Sequence, residues 1–181
     1  MSFMKRGSNR FLDIIIRYVL LILLALPNLW IFYFVFTPLT VYPIFFLLGL
    51  FYDASLLAGN ILLINREIPI EFIKACIAGA AYYLLLILNL ATPKMKLKKR
   101  INILLFTFGI FLFFNLLRIF ILAFLAISGS SYFDVTHKVF WYSLSTIFVV
   151  GVWFAGVKLF KIKEIPFYSD LKFLYKNLLN K

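Results

Sequence analysis

Acidic residues are scarce in this chain, and histidine and cysteine occur once each. Seven Asp and Glu stand against nineteen Lys and Arg, a formal net charge of +12, yet charged residues of both signs make up only 14% of the 181 positions. A single cysteine excludes an internal disulfide, so the thiol of Cys76 is either a small apolar packing group or a reactive one. One histidine and one cysteine are also too few for an ordinary zinc or haem site, and no metal or other cofactor is expected. What fills the chain instead is apolar: 64% of residues are hydrophobic and 20% aromatic, with a mean hydropathy of +1.00, far above a soluble domain. Several runs reach the roughly 20 residues that a bilayer-spanning helix needs, and the alternation of an outer-membrane barrel is missing. The fold class expected is all-α, a polytopic transmembrane helical bundle.

The basic excess would suggest nucleic acid in a soluble protein, but its placement argues otherwise. Lys5, Arg6, Arg10 and Arg17 form one cluster, Lys94, Lys96, Lys98, Lys99 and Arg100 a second, and Lys158, Lys161, Lys163, Lys172, Lys176 and Lys181 a third. All three flank apolar segments, as the positive-inside rule requires of cytoplasmic ends. The opposite segments balance Arg66, Lys74 and Lys138 against Glu67, Glu71 and Asp134. A surface facing anionic headgroups accounts for the isoelectric point near 9.9. The expected partners are therefore membrane lipids and not nucleic acid, in a multi-pass protein of the cell's plasma membrane.

In chain order, a single integral membrane domain, 1–181, divides into about five membrane segments. Residues 11–36 are apolar around Pro27; the start resembles a signal peptide without a small-x-small cleavage site, so it reads as a retained first span. Residues 41–58 form a second apolar segment, interrupted by Asp53. Residues 60–72, NILLINREIPIEF, alternate apolar and polar with Asn65 and Arg66 suited to a turn, which predicts a small extended hairpin on the outer face. Long helices are expected at 70–91, 101–127 and 135–160. A basic N-terminus inside and a hairpin outside require an odd number of crossings between them, yet two apolar segments precede the hairpin. Either one of them is re-entrant, 41–58 being the better candidate, or the N-terminus lies outside against its charge. After Pro166, Ser169 caps a last helix with Leu171, Leu174, Tyr175 and Leu178 on one face, so 164–181 reads as an amphipathic helix on the inner surface.

Three chemically unusual residues fall in one outer layer. With the basic loop inside, Cys76 sits roughly 9 Å and Arg118 roughly 13 Å below the outer ends of their helices at 1.5 Å per residue, and His137 sits near the outer mouth of the last span. A lone cysteine in an apolar helix is usually packed. Ala75 with Gly79, and Cys76 with Ala80, are small-residue pairs four apart, which predicts a face of Ala75, Gly79 and Ala80 for a substrate helix. Tyr83, two turns beyond Cys76, offers a hydroxyl. An arginine well inside a span usually faces a wet or polar interior, and Asn115 shares its face; an ion pair with Asp53 or Asp134 is the structural alternative. His137 is either a solvated edge residue or a proton carrier, with Asp134 one turn away to orient its ring. Ser130 and Ser131 are nearby, but no nucleophile-elbow pattern surrounds them. A thiolate nucleophile, a histidine that moves a proton and an arginine that holds an oxyanion suit acyl transfer at a peptide bond. The reading from another class is a non-catalytic transporter-type subunit in which Arg118 and Asp53 pair along a pathway.

Three blocks then appear in order: IPIEFIKACIAG around Cys76, NLLRI at 115–119, and DVTHKVFWYSLSTIFVVGVWF around His137. Together they resemble the exosortase and archaeosortase family of membrane cysteine transpeptidases, in a short archaeosortase-like form, over roughly residues 68–154. The resemblance implies that Cys76 is the nucleophile and that Arg118 and His137 complete an active site facing the exterior, in a catalytic core of about 60–160. It also implies substrates: membrane-anchored secreted or surface proteins with a C-terminal sorting signal made of a short motif, a transmembrane helix and a basic tail. These would be cut outside the membrane and passed to a lipid or other acceptor. A protease of similar design that releases its product to water is the enzymatic alternative. Where many members carry a small polar residue and then glycine after the cysteine, this chain has Ile77, Ala78 and Gly79, and few spans precede the cysteine.

Overall fold

Apolar helix-forming runs dominate the chain, and the helices they form end where the backbone turns left-handed. A computed structural model describes residues 2–26 and 28–179, with side chains from residue 11 onward except at 143–145 and 177–179. Pro27 and Lys181, and the side chains of Lys5, Arg6, Arg10 and Leu178, thus lie outside the described residues. The elements run α1 (Ser2–Ala25), α2 (Trp30–Gly49), β1 (Ala54–Ala58), β2 (Ile61–Ile64), β3 (Ile68–Glu71), α3 (Lys74–Ile77), α4 (Gly79–Leu90), α5 (Leu97–Ile127), α6 (Phe133–Val139), a π-helical turn (Phe140–Leu144), α7 (Ser145–Leu159) and α8 (Tyr168–Leu179).

Among the described residues, two helices, α2 and α5, are long and apolar enough to cross a membrane, and a third span exists if the bent pair Phe133–Tyr142 and Thr146–Leu159 is counted as one. The boundaries expected near the N-terminus shift. Asn28 and Leu29 are left-handed (φ 49° and 58°) and break the stretch 11–36 in its middle. α2 then runs through Pro38 and Pro43, although each removes one intrahelical hydrogen bond. The stretch 70–91 is likewise not one helix but β3, α3 and α4.

These breaks change the path of the chain between the two ends of the bundle. Arg17 donates to Leu90 O (2.8 Å) and pairs with Asp170 (2.9 Å), which puts it at the basic end of the bundle. Leu21 O accepts from Tyr83 Oη further along. Phe36 of α2 stacks on Tyr82, and beyond α2 Phe51 and Tyr52 pack on Phe120 and Phe124 near the far end of α5. Residues 17–52 therefore travel once from the basic end to the sheet end, in two helices joined by a break. The core at mid-height is aromatic: Tyr82 lies flat on Phe36 and meets Phe108 and Phe111 edge-on. Such pairs contribute about 0.5–1.5 kcal/mol each beyond their buried area.

The expected hairpin of β2 and β3 is present, with Asn65 and Arg66 left-handed at its turn (φ 51° and 60°). A third strand, β1, joins it in an antiparallel meander of order β1-β2-β3. The sequence reading placed residues 54–58 in an apolar span; Gly59 and Asn60 are the turn signal that marks them as a strand instead.

At the basic end, charge is used inward. Arg100, counted above among surface cations, is buried and donates to Asn89 O, Leu90 O and Thr92 O, closing the C-terminus of α4 as a cation suits the carbonyl end of a helix. α8 docks here through Asp170, which is 2% exposed, and through Phe167 N donating to Ala91 O, while Leu171 and Tyr175 stay exposed. Asp170→Ala is expected to lower stability by roughly 3 kcal/mol, because the buried Arg17 guanidinium loses its buried carboxylate and keeps only the exposed Asp13, at 3.1 Å. The double variant Arg17→Met with Asp170→Leu should lose less, as read from melting of the detergent-solubilised protein.

Candidate active site

The site begins with a helix that stops after one turn. Ala78 adopts φ 58° and ψ 38° at the end of α3, a conformation that is unfavourable by roughly 1–2 kcal/mol for a residue with a Cβ. Its N–H closes on Lys74 O (3.1 Å), and its carbonyl starts α4 by accepting from Ala81 and Tyr82. The break leaves the carbonyls of Ala75 and Cys76 at a helix end, where intrahelical donors run out. Side chains of α5 reach across to them. Asn115 Nδ2 donates to Cys76 O at 2.9 Å and Arg118 Nη2 to Ala75 O at 3.4 Å. Asn115 and Arg118 are both buried, 3% and 8% exposed, so these bonds form where water does not compete. The half-buried Cys76 is thereby fixed from below by its own backbone.

Above α3 opens a cavity of about 530 Å³. Ile70 to Ile73, at the end of β3, form one wall with Cys76; Arg118, Ile119, Leu122, Ala123 and Ala126 of α5 form the second; and Phe133, His137, Lys138, Trp141 and Tyr142 form the third. A bend of 47° separates Phe133–Tyr142 from Thr146–Leu159, and the π-helical turn lies at that junction. π-Turns of this kind recur at functional sites. Cys76, Arg118 and His137, from three separate elements, thus line one void. Most of the remaining wall is apolar, with Glu71 and Lys138 as further charges.

The supporting residues expected from the sequence fare differently. Asn115 belongs to the site through the Cys76 carbonyl, not by facing the cavity. Asp134 does not orient His137: it is exposed, and no hydrogen bond or ion pair joins the two among the described residues. The imidazole stands instead between two rings of its own helix face, stacked with Phe133 (5.6 Å, 19°) and edge-on to Trp141 (6.3 Å, 66°). Tyr83 is turned away by the break at Ala78, and its hydroxyl ties α4 to α1 at Leu21 O (2.9 Å). The substrate-helix face of Ala75, Gly79 and Ala80 is also corrected. The same break interrupts it, and Tyr33 of α2 fills the close approach: a Cβ on Gly79 would lie 2.8 Å from the Tyr33 ring. Small residues there serve packing within the chain. Asp53 reaches Arg66 (3.5 Å) at the exposed turn of the sheet, and not Arg118. Glu71, Phe133, Lys138 and Trp141 were not anticipated, although Phe133 and Trp141 stand four residues either side of His137, a spacing that places them on its helical face.

Asn115→Leu is expected to lower stability by about 1–2 kcal/mol, since the buried Cys76 carbonyl loses its donor. It should also speed alkylation of Cys76 by N-ethylmaleimide several-fold as α3 loosens, measured by intact mass. Compared with protein-family models, with curated proteins and with solved structures, the chain finds no match.

Proposed function

We propose that this chain is a membrane-embedded cysteine transpeptidase that cleaves a C-terminal sorting signal from secreted or surface proteins and transfers them to a membrane lipid or other acceptor. One observation carries the reading: Cys76, Arg118 and His137 line a single cavity although they come from α3, α5 and α6. In this reading the bundle lies in the plasma membrane with its basic end in the cytoplasm and the sheet end outside, as the placement of Lys and Arg favours.

The chemistry follows from the three groups. His137 accepts the proton of the Cys76 thiol as Sγ attacks the scissile carbonyl. The carbonyl oxygen becomes an oxyanion, and the Arg118 guanidinium, held by Ala75 O, supplies a fixed positive charge for it. Collapse breaks the C–N bond, and His137 returns its proton to the leaving amine, giving a thioester on Cys76. An acceptor hydroxyl or amine then gives its proton to His137 and attacks the thioester, and the thiol is restored. The apolar walls keep water from competing with the acceptor, which favours transfer over hydrolysis.

Cys76→Ala should abolish processing of co-expressed proteins that carry a motif, an apolar helix and a basic tail, while the variant still accumulates in membranes. Arg118→Lys should reduce processing roughly a hundredfold, because the charge remains but the fork is lost. The mass of the processed C-terminus separates the two enzymatic readings: an added lipid supports transpeptidation, and a free carboxylate shows a protease. Unchanged processing by Cys76→Ala would refute both.

A further inference from the structure

The sheet beside the cavity ends in an open edge. Among the described residues, in the order β1-β2-β3, β3 has a strand neighbour on one side only. Its hydrogen-bonding phase is fixed at both ends of the meander: Phe72 N donates to Asn60 O, and Asn65 N donates to Asp53 O. With Leu62 opposite Ile70 and Ile64 opposite Ile68, the main-chain groups of Ile68, Ile70 and Phe72 point at β2. Those of Pro69 and Glu71 point the other way, because donors and acceptors alternate sides along a strand. Pro69 therefore sits at a position where the missing N–H breaks no ladder bond, the place an edge strand tolerates proline.

The edge adjoins the cavity that holds Cys76. Ile70 and Glu71 of β3, and Phe72 and Ile73 that follow it, all line that void, although the side chains of Ile70 and Glu71 point to opposite faces. The void thus meets both faces at the end of β3, where the outward main-chain groups of Glu71 lie. We propose that β3 is the docking strand for the substrate: an extended polypeptide segment adds to its free edge as a fourth strand and is led along it to the thiol. The inference rests on the transpeptidase reading and specifies how that site takes its substrate.

The occupant follows from the groups presented. β3 offers the N–H and C=O of Glu71 and the C=O of Pro69, spaced two residues apart along an extended chain. An extended peptide matches that set with up to three main-chain hydrogen bonds, as in other cases of strand addition. A lipid has no such alternation of donors and acceptors. A second copy of the chain, pairing β3 on β3, brings two prolines to the seam, and proline on an edge blunts that kind of association. Recognition through Glu71 thus reads backbone shape, and sequence preference is left to the side chains facing Ile70, Lys138 and Trp141.

The experiment uses the full chain in nanodiscs and a set of hydrophobic tetrapeptide vinyl sulfones that alkylate Cys76, identical except for N-methylation of one backbone amide at a time. Labelling rate is read by intact mass, with iodoacetamide as a probe that needs no strand. Methylation at either of two alternate amides, those that donate to Glu71 O and Pro69 O, should slow labelling about tenfold, the loss of one good hydrogen bond, and methylation of the amides between them should not. Glu71→Pro should slow the unmethylated peptide to a similar degree, whereas Glu71→Gln and Glu71→Ala stay within about threefold of the wild type. If Glu71→Pro does not fold, the methylation series on the wild-type chain decides alone. A flat methylation series, iodoacetamide labelling with no labelling by any peptide, or Glu71→Gln as slow as Glu71→Pro would each overturn strand docking while the transpeptidase reading stands. Intact processing by Cys76→Ala overturns that reading instead, and the methylation series still reports on the edge.

Discussion

A backbone carbonyl withdrawn from water has to find a donor, and in this chain that requirement acts most strongly at Ala75 and Cys76. Had α3 and α4 been one helix, their carbonyls would have been satisfied within it and the cysteine would have faced whatever neighbour the helix happened to pack against. The left-handed residue at Ala78 ends that option, and Asn115 and Arg118 answer it from α5. The same two bonds fix the height of α3 against α5, set the thiol beside a guanidinium, and leave the space above α3 free. Hydrogen bonds of this kind between helices contribute only about 0.6–2 kcal/mol each in membrane proteins. Their importance lies in geometry, because the alternative is an unsatisfied carbonyl in apolar surroundings, which is unfavourable by more than the bond itself contributes.

A matching arrangement holds the other end. Leu90 O accepts from both Arg17 and Arg100, so α1, α4 and α5 converge on one carbonyl, and Asp170 brings α8 to the same point through Arg17. Two cations of the basic end therefore act as helix caps and struts, while lysines such as Lys98, Lys99 and Lys172 stay at the surface. The distinction is chemical: a guanidinium presents several donors in a plane and can serve three carbonyls at once, as Arg100 does, whereas an ammonium is strongly hydrated.

Much of this was legible in the residues. Composition gave the helical, membrane-type architecture, the alternation in NILLINREIPIEF gave the β2–β3 hairpin, and the depth argument brought Cys76, Arg118 and His137 into one layer, where they line one cavity. The helix breaks were not legible. Ala78 and Leu29 are ordinary helix formers, and nothing in their side chains announces a positive φ; tertiary packing overrides propensity at such positions. Two errors downstream have that origin. Reading 70–91 as one helix put Tyr83 and Gly79 on the cysteine's face, when the break turns them toward Leu21 and Tyr33. Reading 11–36 as one span produced a crossing count that did not close. β1 was hidden by its composition, since ASLLA is as apolar as the span before it and only Gly59 and Asn60 mark it off.

The histidine shows how the pieces constrain one another. In the proposed mechanism a carboxylate behind the imidazole would orient it, but would also bring a second negative charge toward the thiolate and the oxyanion. Asp134 stays in solvent at the first turn of α6, where it favours the positive end of that helix. Phe133 and Trp141 hold the ring by shape instead, and aromatic contacts of this sort contribute orientation without adding charge. Trp141 and His137 share a face across the junction of α6 with the π-helical turn, and both line the cavity that Arg118 of α5 borders. The bent pair Phe133–Tyr142 and Thr146–Leu159 thus presents the histidine to a cavity whose other walls are α5 and the end of β3.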